Sequence, residues 1–125
     1  MSAPYQLRAV RGATTVEEDH PDILKRELME LFLTLIHENQ LEKEDIVNVF
    51  FTVTPDLVKI SPAKIIRFGL DWQSIPMMCS QEPLGENMPH MCVRTLIQFY
   101  TNKTPEEMVH VYLNRATDLR PDLFQ

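Results

Sequence analysis

The chain has 125 residues, 44 % of them hydrophobic and 24 % charged, which is typical of one globular domain and predicts a single domain over residues 1–125. Its net charge of -6 and its pI near 5.1 argue against a general nucleic-acid or anionic-membrane binder, since both need a basic face. We therefore expect no nucleic-acid partner and no membrane partner.

An amphipathic strand opens the chain. Residues 5–12, with the sequence YQLRAVRG, place apolar groups among polar ones, a pattern that predicts a strand. Gly12 is expected to end this strand. The following segment 13–21, ATTVEEDHP, is expected to break regular structure.

A long helix comes next. Pro21 suits its first position, where a missing N–H costs nothing, and Asp19 or His20 would be its cap. The helical pattern runs to about Glu38, and Asn39 can end it. Apolar residues at spacings of three and four form one stripe, consisting of Leu24, Leu28, Leu31, Phe32, Leu35 and Ile36.

The middle of the chain predicts a strand, a helical turn and a second strand. Residues 46–54, IVNVFFTVT, are rich in β-branched and aromatic groups, which indicates a buried strand that ends before Pro55. Residues 61–69, SPAKIIRFG, predict a short helical turn. Residues 73–79, QSIPMMC, predict an edge strand, because Pro76 cannot donate a ladder hydrogen bond.

The last third predicts two further strands around a turn. Residues 83–90 are a loop and 91–101 alternate as a long strand. Residues 104–107, with Thr104 as cap, predict a helical turn before a final strand at 108–113, and residues 115–124 are a tail. The order predicts an α+β fold, a mixed β-sheet with one long helix packed on a face.

The cysteines and histidines indicate neither a disulfide nor a metal site. Cys79 and Cys92 form no CxxC pair, and the start of the chain lacks an apolar signal-peptide core, so we expect reduced thiols in a cytoplasmic protein. The histidines lack zinc-site spacing, and no metal is expected. A lone Cys79 in an apolar strand is more often core than nucleophile.

Arginines inside predicted strands are the unusual feature. Arg94 lies among apolar neighbours in 91–101, and Arg11 stands at the end of the first strand. A guanidinium in such a setting needs an anionic partner or a wet face. Each arginine alone is better explained by a surface position or an internal ion pair, and Glu82 and Tyr112 by an ordinary surface acid and strand tyrosine.

Together with their surroundings these residues resemble one family. RGATTVEED at 11–19 is similar to the start of the monofunctional chorismate mutases of the trimeric, barrel-like class. Similar segments follow in family order, namely TPDL at 54–57, PAKIIR at 62–67, W-Q-x-x-P at 72–76, C-x-Q-E at 79–82, V-R within 91–101, HVYL at 110–113 and LRPDL at 119–123. The resemblance runs from about Leu7 to Leu123, and the ordered set is specific where one motif alone would be weak.

This resemblance implies an isomerase that needs no cofactor and converts chorismate to prephenate by a Claisen rearrangement, in aromatic amino acid (Phe/Tyr) biosynthesis. By the family pattern Arg94 faces the ether oxygen and a carboxylate, and Glu82 accepts from the ring hydroxyl. Arg11 binds the side-chain carboxylate, with Tyr112 nearby.

The same pattern implies further substrate-binding positions and an assembly. Apolar wall is assigned to Ala63, Met77 and Leu119, pocket lining to Met78 and Cys79, and the mouth to Lys64, Arg67 and Arg120. Family members form homotrimers, a pseudo α/β barrel with sites between subunits, so a homotrimer is expected here.

One departure from the pattern leaves alternatives open. Ser61 stands before Pro62 where the family has a bulky aromatic wall. A smaller group there favours, as second hypothesis, a non-catalytic trimeric binding module for a small dicarboxylate. The third is a structural trimer whose arginines form ion pairs between subunits.

Overall fold

A mixed five-stranded sheet with two helices forms the fold of the computed structural model, which describes residues 5–83 and 85–120. The elements in chain order are β1 (Gln6–Thr15), α1 (Pro21–Asn39), β2 (Ile46–Val53), α2 (Pro62–Gly69), β3 (Met77–Gln81), β4 (Cys92–Thr101) and β5 (Val111–Tyr112). Short 3₁₀ turns cover 43–45, 105–107 and 114–119. The predicted α+β class is confirmed.

The sheet has the strand order β3-β2-β4-β1-β5. The central strand β4 pairs antiparallel with both β1 and β2. The outer strands pair parallel, β3 with β2 and β5 with β1. The predicted edge strand is therefore at an edge, but it begins after Pro76 rather than at residue 73.

Strand β1 continues through Gly12, so the expectation that this glycine ends the strand is wrong. The strand runs to Thr15 because β4 supplies partners along its whole length, Gly12 facing Thr95. A Cβ on Gly12 would lie 2.9 Å from Leu35 Cδ1 and 3.3 Å from the Val111 carbonyl oxygen. The glycine thus permits close approach of α1 and β5 to β1.

The Gly12→Ala variant is expected to lose about 1–3 kcal/mol of unfolding free energy, because the added methyl overpacks a filled site. Urea denaturation measures this loss. Gly85→Ala is the matched control, since its new Cβ would meet nothing closer than Met88 at 3.8 Å. Equal stability of the two variants would show that β5 and α1 do not constrain position 12.

The long helix agrees with its sequence signals. His20 is the cap, and its Nδ1 accepts a hydrogen bond from the Asp22 N–H at 3.1 Å. The helix ends at Asn39, and Gln40 follows in the left-handed conformation with φ 50°. The predicted stripe lies inward, with Leu24, Leu28, Leu31, Phe32 and Leu35 buried and Ile36 packed beside them.

The end of the chain differs from its prediction in two ways. The final strand is two residues long, Val111–Tyr112, rather than 108–113, and residues 114–119 form a 3₁₀ helix where a tail was expected. Asn114 begins this turn with φ 56°, and its Nδ2 donates to Thr14 Oγ1 at 3.0 Å and Glu27 Oε2 at 3.1 Å. The predicted segment 121–124 lies outside the described residues.

The two faces of the sheet have different roles. The helices cover one face, where Phe32 stacks on Phe51 with ring centroids 5.6 Å apart and meets the Trp72 ring edge-on at 6.0 Å. Along each strand every second side chain lies on the opposite face of the sheet, which the helices do not cover and which we call the open face. Several of its apolar groups are exposed, including Leu7, Phe50, Met78 and Tyr100.

The final 3₁₀ helix covers one corner of the open face. Ala116 packs there against Ala13, Cys92 and Tyr112, all buried, and Leu119 lies beside them. This small second cluster places the end of the described chain next to the strands that carry the arginines.

None of the described helices is both long and apolar enough to cross a membrane.

Candidate active site

A pocket of about 210 Å³ lies on the open face of the sheet. Four neighbouring strands contribute, β2, β4, β1 and β5, and the segment after β3 adds Glu82. The lining residues are Arg11, Gly12, Phe50, Thr52, Glu82, Arg94, Thr95, Leu96 and Tyr112. Of the residues given catalytic roles from the sequence, all four line it: Arg11, Glu82, Arg94 and Tyr112.

An ion pair forms one wall of this pocket. Arg94 Nη1 donates to Glu82 Oε1 at 2.8 Å, and the two side chains are 35 % and 22 % exposed. Partial burial strengthens such a charge-assisted bond relative to a surface pair. Glu82 is held by its backbone as well, since its N–H donates to the Val53 carbonyl at 2.8 Å. The Arg94 guanidinium is therefore restrained in two ways: by the strand β4 that carries it and by a carboxylate whose own backbone is held in place.

Strand pairing sets the opposite wall. Ala13 is the register partner of both Arg94 on β4 and Tyr112 on β5. Two residues earlier along β1, Arg11 is on the same face, opposite Leu96. Arg11 is exposed and Tyr112 is buried, so the pocket has a cation at its rim and a phenol deeper in its wall.

The TPDL segment stabilises the start of β4. Thr54 Oγ1 accepts from the Cys92 N–H at 3.0 Å, and both carboxylate oxygens of Asp56 accept from the Met91 N–H, at 3.1 and 3.2 Å. Met91 has a positive φ of 52°, a strained conformation that these bonds stabilise. Arg94 follows three residues later, so the motif positions the strand that carries it.

The stability of this turn is expected to fall in acid. Burial raises the pKa of Asp56, but hydrogen bonds from Thr54, Met91 and its own backbone, with the nearby His90, bring the pKa below its usual 3.8. A lowered carboxyl pKa contributes stability above pH 3.8, and that contribution disappears as the pH falls through the folded-state value. Asp56→Asn should therefore have a lower free energy of unfolding than wild type at pH 7, measured by urea denaturation. The difference between the two proteins should become smaller near pH 3. A constant difference across this range would contradict the assignment.

Two further predicted residues lie beside the pocket without lining it. Leu119 belongs to the cluster that buries Tyr112. After burial, the positive charges of Arg11 and Arg120 both lower the pKa of His110, whose Nδ1 accepts the Arg11 backbone N–H at 3.0 Å. The end of the described chain thus adds positive charge on the Arg11 side.

The remaining predicted residues are elsewhere in the protomer. On α2, Ala63 is buried, Lys64 exposed and Arg67 half-buried. On β3, Met77 packs against the core below the helices, and Met78 is 67 % exposed on the edge strand. None of these lines the pocket that one protomer forms.

The two thiols are not activated. Cys79 is exposed rather than core, and the burial it retains raises its pKa. Cys92 is buried in the cluster with Ala13, Tyr112 and Ala116, where burial raises its pKa to about 11 despite the opposing effect of Arg94. Both therefore stay protonated near neutral pH, and neither has the lowered pKa of a nucleophilic cysteine.

Five lining residues were not predicted from the sequence: Gly12, Phe50, Thr52, Thr95 and Leu96. The register explains Leu96 and Thr52, since Leu96 is two residues from Arg94 on one strand and Thr52 is its partner on β2. Alternation along β4 predicts Leu96 once Arg94 is placed. Thr52 depends on the pairing of β2 with β4, which the sequence does not reveal.

The chain is similar to a known family along nearly all of its length. The family model described as chorismate mutase type I matches residues 7–123. The match begins in β1 and includes every segment that forms the pocket. It therefore concerns the site as well as the fold.

Individual relatives agree with this match. Over 117 residues the chain is 36 % identical to a protein of Bacillus subtilis named chorismate mutase AroH, covering 94 % of this chain and 92 % of that one. It is 35 % identical over 119 residues to the Thermus thermophilus protein of that name, with 94 % and 96 % covered. A solved chorismate mutase from Clostridium thermocellum superposes with a TM-score of 0.83 at 35 % identity, covering 88 % of this chain and 97 % of that chain.

Proposed function

The chain belongs to the type I chorismate mutase family, and from this premise we propose how its pocket rearranges chorismate to prephenate. The enzyme is an isomerase of aromatic amino acid biosynthesis. In the reaction one C–O bond breaks while one C–C bond forms within a single molecule. No proton has to move, so the catalyst must restrict a flexible dianion to its reactive shape and stabilise the charge that develops.

Arg94 supplies the stabilisation that is specific to the transition state. The ether oxygen becomes partly negative as its bond opens, and a fixed guanidinium stabilises that charge more than it stabilises the ground state. The bond from Glu82 at 2.8 Å restricts the guanidinium before substrate arrives. This preorganised pair within the pocket is the single observation that carries the mechanism.

Glu82 has a second role in this proposal. A carboxylate accepts several hydrogen bonds, so Glu82 can hold Arg94 with one oxygen and accept from the ring hydroxyl with the other. Its charge also faces the positive character of the opening ring. Arg11 binds the side-chain carboxylate at the rim, and Tyr112 donates a hydrogen bond nearby.

The charge of the pocket supports completion by another subunit. Two guanidiniums and one carboxylate line it and leave one net positive charge, whereas the substrate has two carboxylates. We infer that the chain forms a homotrimer in which residues of α2 and β3 from a neighbour close the cleft: Ala63, Lys64, Arg67, Met77, Met78 and Cys79. The exposed apolar side chains of the open face are suited to that contact.

Subunit complementation tests this assembly. Light scattering on the eluting protein should give three times the mass of one chain. Mixing unfolded Arg94→Ala and Arg67→Ala chains and refolding them together should restore activity above that of either variant, because some clefts receive both intact residues. Recovery absent from a refolded trimer would place both residues in one subunit's site.

Product identification tests the reaction itself. Proton NMR of chorismate incubated with the protein should show prephenate as the product, with the same yield when no metal or cofactor is added. Binding of chorismate without conversion would favour the alternative of a dicarboxylate-binding module. Ser61, which motivates that alternative, is exposed at the start of α2, outside the pocket of one protomer.

The enzyme acts in the cytoplasm on a free metabolite, without a cofactor and without a nucleic-acid or membrane partner. The acidic net charge of -6 and the absence of a predicted metal motif support these assignments.

A further inference from the structure

Strand β5, which carries Tyr112, is held in place by few backbone bonds. It pairs with β1 over two residues, Gly12 with Val111 and Ala13 with Tyr112. Beyond the pair, the Leu113 N–H donates to the Ala13 carbonyl at 2.9 Å. With so few backbone hydrogen bonds, β5 needs additional hydrogen bonds from side chains if Tyr112 is to keep its position in the pocket wall.

Two side chains extend it on the N-terminal side of β5. The Asn39 amide brackets Val109, accepting from its N–H at 2.8 Å and donating to its carbonyl at 2.9 Å. His110 Nδ1 accepts the backbone N–H of Arg11 at 3.0 Å. The imidazole thus takes the place of the next ladder partner and ties β5 to the residue that carries the rim guanidinium.

This hydrogen bond requires one state of the imidazole. Nδ1 can accept only when it bears no proton, so the ring must be neutral with its proton on Nε2. The amides of Asn39 and Asn114 cannot change in this way between pH 5 and 8, whereas a histidine can. His110 is therefore the part of this attachment that responds to pH.

The surroundings of His110 favour the neutral ring. Among the described residues, the charged groups that act on it are Arg11 of β1 and Arg120 after the last 3₁₀ helix, both of them cations. Burial, followed by Arg11 and Arg120, lowers the pKa of His110 below its ordinary 6.5. The Arg11 N–H and the two nearby guanidiniums therefore favour the same form.

We propose that neutral His110 is a positioning residue, which fixes the backbone of Arg11 against the strand of Tyr112 so that both face the substrate carboxylate. Protonation turns the acceptor into a donor facing another N–H, and β5 and Arg11 lose their relative placement. The inference rests on the proposed function for its substrate. His110 touches no reacting atom and acts through Arg11 and Tyr112.

The sign of the pH effect follows from this geometry. The neutral form is needed and its pKa is lowered, so the placement is complete above pH 6.5 and is lost as the pH falls through the folded-state value. We expect kcat/KM to be level near neutrality and to decline on the acid side. The decline should lie mainly in KM, because Arg11 binds a carboxylate that is present in ground state and transition state alike.

Paired substitutions separate positioning from structure. His110→Asn keeps an oxygen that can accept the Arg11 N–H and does not titrate, so KM should stay near wild type and the acid decline should vanish. His110→Leu removes the acceptor and should raise KM severalfold, up to about tenfold, at every pH, the usual scale for the loss of one hydrogen bond. His37→Asn on α1, outside this pocket, should retain the wild-type pH profile.

An NMR readout makes the test independent of turnover. Nitrogen-15 shifts of His110 should show the Nε2-protonated tautomer at pH 7.5 and a titration midpoint below 6.5. A proton on Nδ1, a midpoint at or above 6.5, or an acid decline that persists in His110→Asn would each overturn the proposal. Because the tautomer is read without substrate, failure of the proposed function would be seen separately, as wild-type protein that does not convert chorismate.

Discussion

Arg94→Ala is expected to lower kcat by on the order of a hundredfold or more, the usual scale for removing a group that stabilises transition-state charge. The variant loses the guanidinium aimed at the ether oxygen. It also leaves Glu82, 22 % exposed, without its partner at 2.8 Å. Initial rates of chorismate loss in the variant and wild type, at saturating substrate, measure the effect.

Arg26→Ala is the matched control for this prediction. Arg26 also pairs with a glutamate, Glu27 at 3.3 Å, but its side chain is 70 % exposed on α1 and does not line the pocket. Exposed pairs contribute about 0–1 kcal/mol, so both its turnover and its stability should stay close to wild type. Near-wild-type turnover of Arg94→Ala would remove Arg94 from the reaction. Equal losses in both variants would indicate a general effect of deleting an ion pair.

Phe32→Ala is expected to lower the free energy of unfolding by about 3–5 kcal/mol, because it empties a fully buried site in the core. The Phe32 ring lies between Phe51 of β2 and Trp72 after α2, so its loss weakens the contact of both helices with the sheet. Since domains of this size unfold with about 5–15 kcal/mol, the change is a large share of the total. Urea denaturation at one fixed protein concentration measures it.

Phe68→Ala serves as the control for the core prediction. Phe68 is on α2 and 63 % exposed, so the same truncation should change the unfolding free energy by less than about 0.5 kcal/mol in the isolated chain. A similar loss in both variants would mean that the helix face of the sheet is not the principal core. A loss in Phe68→Ala that grows with protein concentration would instead indicate that Phe68 is buried between copies.

The sequence predicts the parts of the fold that depend on local pattern. The α1 stripe, its start at Pro21, and the strands β2 and β4 all follow from periodicity and capping, and the structure confirms them and chooses His20 over Asp19 as the cap. Helix caps and apolar spacing act within a few residues, so one sequence suffices to see them.

Features set by partners distant in the chain were harder to predict. A glycine such as Gly12 often ends a strand, yet β1 continues beyond it because β4 supplies pairing partners as far as Thr15. The close approach of Leu35 is the reason that a glycine is needed there. Residues 108–113 have the alternation of a strand, but β1 pairs with only two of them. Only the folded chain shows which neighbour is available.

In the candidate site, too, some residues could be predicted from the sequence and others depend on contacts between distant parts of the chain. Resemblance to a family identified the four residues that converge on one pocket, and no local pattern would have joined Arg11 to Arg94 across the sheet. Periodicity alone did not identify Phe50 and Thr52, because their place depends on the register of β2 with β4. The residues of α2 and β3 remain predictions until the assembly is measured.

Whether this pocket rearranges chorismate is decided by the ultraviolet absorbance of chorismate at neutral pH, with low micromolar protein and no added metal or cofactor. Rapid loss of absorbance in wild type and in Arg26→Ala, with loss slowed on the order of a hundredfold or more in Arg94→Ala, is the result that the pocket predicts. A folded protein that leaves chorismate unchanged would show that the pocket does not catalyse the rearrangement.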